Sequence, residues 1–223
     1  MPQTIRSALT EWLRALWEFS RAETVIAPLL HSAIVSSSAV QIVDLCSGNS
    51  GPILPLQAEL KVPVILTDKF GPVKVDARCV PADLTGMRTL FNSFHHFRPE
   101  EARRILEDAC LSGQPIGVFE ITSRQWPKVL LSFPASFIGV YLLIWRMRPF
   151  RASWWILTWL VPVIPLVIAW DGLISHLRAY TNSEIDEMTR GLGGEEWTWE
   201  QGRVAAPRGG VTICYAIGWP SLQ

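Results

Sequence analysis

Excess charge is the first thing missing from this chain: 20 Lys and Arg balance 20 Asp and Glu over 223 residues. A net charge of zero produces no steering field for a polyanion, so neither nucleic acid nor an acidic partner is expected. Metal-ligand spacing is missing too. The four cysteines, Cys46, Cys79, Cys110 and Cys214, form no C-x-x-C pair and have no histidine at ligand spacing, so no metal site is expected and the thiols read as reduced and intracellular. The first residues lack the unbroken apolar core of an export signal, because Glu11, Arg14 and Glu18 interrupt it. Internal repeats and low-complexity segments are likewise absent.

What is present is apolar sequence, unevenly spread. Residues 129–145 and 152–170 carry no charge, and only the "RMRPFR" of 146–151 separates them. Trp145, Trp154, Trp155, Trp159 and Trp170 lie in or at the ends of this region. The chain length suits one domain with a large insertion, and its core can be substantial.

Outside that region, periodicity predicts alternating helices and strands. Ile5, Leu9, Leu13, Leu16 and Trp17 recur at helical spacing over 5–18, and a second helix is expected over 22–36. The β-branched run 39–45 reads as a buried parallel strand, followed by a small-residue loop and a short crossover helix within 51–60. Runs at 62–68, 73–81, 89–97 and 115–121 bring the expected strand count to five. A helix with Pro99, Glu100 and Glu101 in its first turn precedes the last of these. After the apolar region, 181–194 reads as an N-capped helix stopped by glycines, and 196–204 with 210–219 as an antiparallel pair. The pattern predicts an α/β sheet closed by a hairpin, with a hydrophobic helical insertion after the fifth strand.

Acids stand at the ends of the expected parallel strands, where ligands of open α/β sheets bind: Asp44, Asp68, Asp76 and Glu120. Asp68 follows Asp44 by 24 residues, a spacing that suits a carboxylate reaching ribose hydroxyls. With the motif Asp44-Leu45-Cys46-Ser47-Gly48-Asn49-Ser50-Gly51, the "ILTDKF" that contains Asp68 and Lys69, and Asp76-Ala77 followed by Val80-Pro81, the chain resembles the class I S-adenosylmethionine-dependent methyltransferases. The resemblance covers roughly 20–125 and 180–220. It departs from the family at the loop, where Cys46 and Ser50 replace two glycines, and in the short 68–76 connection, which leaves Asp83 as a rival of Asp76 for the adenine.

That resemblance implies a Rossmann-like, doubly wound, mostly parallel sheet, with 1–125 as the N-terminal helices and cofactor half, 126–178 as the insertion, and 179–223 as the closing helix and strands. It implies S-adenosylmethionine as cofactor, held by Asp44, Cys46, Ser47, Gly48, Asp68, Lys69, Asp76, Ala77 and Ser93. Methyl transfer by alignment needs a general base only if the acceptor has a proton to lose. His95 and His96, just beyond the fourth expected strand, and Glu120 are the catalytic candidates. Asp171, His176 and Arg178, after the insertion, are the candidates for substrate contact. The missing glycines leave two alternatives: a degenerate fold acting as a membrane-bound binding or scaffold protein, or a cofactor-binding natural-product enzyme that transfers no methyl group.

The insertion poses its own question. Each apolar segment is near the 20 residues a bilayer requires, yet each contains proline: Pro134, then Pro162 and Pro165. A spanning hairpin would carry Arg146, Arg148 and Arg151 to the far side of the membrane, against the positive-inside bias. An in-plane or re-entrant hairpin on the cytoplasmic side, with tryptophans and arginines at the lipid surface, avoids that conflict. A lid over a lipophilic small-molecule substrate and a homodimer contact are the other expectations.

Overall fold

The computed structural model describes residues 2–48, 51–69 and 71–221. Its sheet has six strands: β1 (Ile42–Leu45), β2 (Val64–Leu66), β3 (Met87–Phe91), β4 (Ile116–Glu120), β5 (Trp197–Ala205) and β6 (Thr212–Pro220), in the order β2-β1-β3-β4-β6-β5. The first four run parallel, with Asp44 beside Leu66 and Thr89, and Leu90 beside Val118. β6 is antiparallel to β4 and to β5. The mixed α/β sheet is therefore Rossmann-like, mostly parallel, with a C-terminal hairpin.

The strand pleat explains the layering. Val43, Leu45, Leu90, Ile116 and Val118 face one side, where Ile105 and Leu106 of α4 (Pro99–Leu111) and Met188 of α8 (Asn182–Thr189) complete a core. Ile42, Met87 and Phe119 face the other, against Ile26 and Leu30 of α2 (Glu23–Ser37) and Ile53 and Leu56 of α3 (Ile53–Leu60). Burial on both faces is why these strands read as continuous apolar runs. At the α8 start, Thr181 Oγ1 accepts from Glu184 N and Glu184 Oε2 accepts from Thr181 N, a reciprocal cap.

One expected strand does not form. Residues 73–81 contain only a single Asp76–Cys79 bridge, because the Asp68–Asp76 connection is too short for a crossover helix and the segment turns back on itself. Four strands, not five, therefore precede the insertion, which follows β4.

The insertion forms a separate helical layer. It comprises α5 (Trp126–Leu143), α6 (Ala152–Trp155) running into a π-helical turn at Ile156–Leu160, and α7 (Val163–Arg178). The last two helical stretches meet at 81°. Pro162, whose fixed φ and missing N–H prevent helix continuation, stands at that break. The N-terminal helix α1 (Gln3–Ser20) covers one side of the layer: Ala8, Trp12 and Ala15 pack with Val140, Leu143, Ile144, Trp154, Ile164 and Ile168. Trp17, on another face of α1, enters the sheet core instead. The outer side is uncovered, with Trp126, Leu130, Trp145, Phe150, Trp159, Leu160 and Trp170 all exposed. By length and composition α5 with its following turn could cross a membrane.

Candidate active site

The loop after β1 is built by hydrogen bonds to the strand beside it. Thr67 donates to Asp44 O through both its N–H and its hydroxyl, Ser47 N donates to Thr67 O at 2.9 Å, and Ser47 Oγ donates to Asp44 O at 2.8 Å. Gly48 N then donates to Asp68 Oδ2 at 3.3 Å. The acid ending one strand thus touches the loop that follows the other, at the C-terminal edge of the sheet. Cys46, Ser47 and Gly48 lie within the described residues; Asn49 and Ser50 lie outside them.

Cys46 occupies a glycine's conformation. Its φ is 58°, in the left-handed region, which a side chain tolerates at a cost of about 1 kcal/mol relative to glycine. Gly48 is also left-handed at 49°, and among the described residues a Cβ there would meet nothing closer than Cys46 O at 4.0 Å. The small side chain of Cys46 therefore keeps a conformation that glycine favours. Ser93, buried on the turn after β3, stands beside the Cys46 thiol, and its Oγ makes no well-formed hydrogen bond among the described residues.

Asp44 is buried, and burial raises its carboxyl to about 7 even though Thr89 Oγ1 donates to it at 2.7 Å. Burial likewise pushes the Cys46 thiol up to about 12, with Asp68, Asp44 and Asp76 adding to the effect, so it is no nucleophile at neutral pH. Asp76 is differently placed. Arg78 grips both its oxygens, at 2.9 Å and 2.6 Å, and with Lys69 Nζ at 3.9 Å holds its carboxyl down at about 2. Arg78 also bonds Glu101 on α4, so the Asp76 side chain is part of an ion network, while Ala77 beside it is buried.

His95 and His96 lie in a 3-10 turn, Phe94–His96, and face different surroundings. His95 is buried, with Nδ1 2.5 Å from Glu120 Oε2 and Nε2 unpartnered among the described residues. Glu120 also accepts from Phe94 N at 2.8 Å and Thr122 Oγ1 at 2.9 Å. Burial alone would raise Glu120 and lower His95, but their mutual attraction and the added donors prevail: Glu120 is held below its ordinary value and His95 above it. His96 is exposed as a residue, although its ring is crowded enough that desolvation and then His95 lower its pKa. Arg124, the local arginine that could have paired with Glu120, bonds Glu184 instead.

A cleft of about 790 Å³ opens between α1, α5, α7 and the strand ends. Asn92, Ile121 and Thr122, directly after β3 and β4, form its inner wall, so it adjoins the turn that carries Ser93. Asp171 and His176 line it; Arg178, at the exposed end of α7, does not. His176 Nδ1 lies 3.1 Å from Ser123 N and 3.0 Å from Ser123 O, which fixes its ring. Sequence reading did not find Asn92, Thr122, Lys128 or the α1 residues Trp12, Leu13 and Leu16 in this wall. Asn92 alone carried a local signal: asparagine tolerates the left-handed region, and its φ is 48°. The α1 residues gave none, because only tertiary packing brings them there.

No family model matches the chain, and no curated protein sequence matches it. Solved structures do match its fold. The plantazolicin methyltransferase BpumL in complex with SAH aligns over 96% of this chain and 85% of its own, at 12% identity and a TM-score of 0.51. The same enzyme with a triazolic desmethylPZN analog and SAH covers 99% and 100%, at 11% identity and a TM-score of 0.51. The chain has the class I methyltransferase fold. An O-methyltransferase family protein from Burkholderia thailandensis agrees, at 11% identity and a TM-score of 0.50 over 91% of this chain, which spans 57% of that protein. In a methyltransferase fold the loop after β1, Asp68 and the Ser93 turn share the sheet edge where open α/β folds bind ligands.

The Glu120–His95 pair makes a pH-dependent prediction. The Glu120 contribution is present above about 4.5 and lost on acidification; the His95 contribution is present below about 6.5 and lost as pH rises through its raised value. Both are full between those limits. Glu120→Gln is expected to lower unfolding stability by about 3 kcal/mol in that window. In urea titrations across pH, the loss should shrink on the alkaline side; a loss independent of pH would contradict the pair's ionic character.

Proposed function

We propose that the protein is an S-adenosylmethionine-dependent methyltransferase acting on a lipophilic small molecule. The observation that carries this reading is the adjacency of a strained, small-residue loop bonded to Asp68, with a buried Ser93 hydroxyl beside it, and a large mostly apolar cleft sharing the same strand ends. Solved structures of this fold that contain SAH support the cofactor assignment.

The residues fit such a cofactor. Among the described residues, left-handed Gly48 has open space beside it, the Ser93 Oγ has only the Cys46 thiol near it, and Asp68 offers a carboxylate to ribose hydroxyls. Asp44, Cys46, Ser47 and Lys69 complete the wall on the loop side. Asp76 is committed to Arg78, so Ala77 and the backbone around it are the adenine-side candidates, and Asp83 stays exposed. When bound, the cofactor supplies an electrophilic methyl group on a sulfonium. The protein's part is to align an acceptor in the cleft, which can provide most of the rate enhancement.

His95 is better suited to positioning than to taking a proton. Its raised pKa favours the charged form, and Glu120 holds it inside the turn. Together they tie the ends of β3 and β4 around Ser93. His96 and Arg178 lie outside the cleft wall and are given no role in the transfer.

The uncovered side of the insertion supports a membrane surface as partner. Trp145 meets Trp155 edge-on at 4.1 Å with exposed Phe150 against Trp155, and the nearby Arg148 and Arg151 are exposed. Aromatic rings and arginines in that mixture suit the headgroup region of a cytoplasmic leaflet. The 81° bend and the α1 cover on the opposite side favour an in-plane arrangement over a crossing. A contact between two copies through this layer is the competing occupant.

Isothermal titration tests the cofactor reading. S-adenosylmethionine should bind the wild type, and more tightly as pH rises through about 7, because a cationic ligand favours ionised Asp44. Asp68→Ala should lose roughly tenfold or more in affinity, and Gly48→Val, a β-branched residue forced to positive φ, should lose binding with the fold retained. No binding to the wild type sinks the proposal. For the membrane, flotation with phosphatidylcholine–phosphatidylglycerol vesicles should carry the wild type, and a Trp145→Ser, Phe150→Ser, Leu160→Ser variant should weaken partitioning by roughly tenfold or more. A wild type that stays unfloated, whether monomer or dimer by size exclusion, contradicts the membrane claim.

A further inference from the structure

Among the described residues that line the large cleft, Asp171 is the only acid. It sits midway along α7, beside Gly172, whose lack of a side chain lets α5 approach: a Cβ there would lie 2.9 Å from Ser136 Oγ. No hydrogen bond or ion pair joins the Asp171 carboxylate to another described residue; only the field of buried His95 reaches it. Partial burial raises its pKa. The other charged groups in the wall are Lys128, on the first turn of α5, and Arg146, beyond its last. His176 is engaged with the Ser123 backbone.

A half-buried carboxylate in an apolar wall with no protein partner is an incomplete arrangement, since such a group normally finds a donor. We infer that Asp171 receives the head of the acceptor, a lipophilic molecule carrying a single protic group, hydroxyl or amine, whose apolar body lies along α1 and α5. This rests on the methyltransferase reading and narrows it to acceptors with a proton to lose. In the transfer, the acceptor lone pair forms the bond to the methyl carbon, the carbon–sulfur electron pair stays with sulfur, and the acceptor proton passes to the Asp171 carboxylate. The cleft is open to solvent, so that proton can return to water. The field of His95 at Asp171 puts this carboxylate within reach of the turn after β3 that also carries Ser93.

The inference is testable without turnover. Decanol and 1-methoxydecane share an apolar body and differ in the hydroxyl proton, and each can displace the neutral fluorophore N-phenyl-1-naphthylamine from the cleft. The wild type should prefer decanol by roughly tenfold or more, the worth of a hydrogen bond to a charged acceptor. Asp171→Leu should erase the preference, and Asp171→Asn, which keeps shape and a neutral acceptor, should reduce it. Equal affinities for decanol and 1-methoxydecane in the wild type, a preference that survives in Asp171→Leu, or no displacement by any probe would overturn it. S-adenosylmethionine titration of Asp171→Leu separates the two readings: retained cofactor binding with lost preference supports both, whereas absent cofactor binding in the wild type with a retained head-group preference removes only the methyl transfer.

Discussion

The carboxylate of Glu120 ties the reading edge of this molecule together. It ends β4, and its oxygens accept from Phe94 N, His95 Nδ1 and Thr122 Oγ1. A buried carboxylate without such donors would be expelled or neutralised, and here three donors from two strand ends satisfy it. One group thereby fixes the turn that presents Ser93 to the β1 loop and the wall that Thr122 presents to the cleft. The same ion pair thereby joins the turn beside the proposed cofactor region to the wall of the proposed acceptor region.

A second constraint comes from the apolar insertion. Its helices cannot be satisfied by the sheet, because both sheet faces are already covered by α2 and α3 on one side and α4 and α8 on the other. The layer therefore builds its own core with α1, whose Trp12 and Ala15 fill one side while Trp17 reaches the sheet. That division leaves a gap between layer and sheet edge, which is the cleft, and an outer face with nothing against it. Glu11 and Arg14 of α1 hold the insertion's turn through Arg148 N and Arg146 O.

Much of this was legible in the residues. The β-branched run of β1 and the apolar run of β4 marked those strands because burial on both faces demands them, whereas β3 (Met87–Phe91) ends well before the 97 expected, where the chain enters a 3-10 turn; Pro99 with its acids marked α4 because a helix start favours both. The 73–81 strand was misread for a physical reason: "VKVDARCVP" has strand-like alternation, but Asp76 is gripped by Arg78 two residues on, and the chain turns there. Asp44 and Asp68 were expected at strand ends from spacing and Gly48 from the motif, and the Gly48 N–H does meet Asp68 at one sheet edge. The engagement of His95 with Glu120 was not, since the two are distant in sequence and meet only through parallel pairing of β3 and β4. Nor was the α1 wall of the cleft, for no local pattern reports which helix covers an insertion.

The account stands on the β1 loop as a cofactor site. A crystal structure of the protein grown with S-adenosylhomocysteine tests this most directly. The account expects the ligand across the Cys46–Gly48 turn, its ribose hydroxyls on Asp68, a hydrogen bond from or to Ser93 Oγ, and its sulfur facing the cleft. Ligand density elsewhere, or the loop closed over an empty edge at saturating ligand, would contradict it.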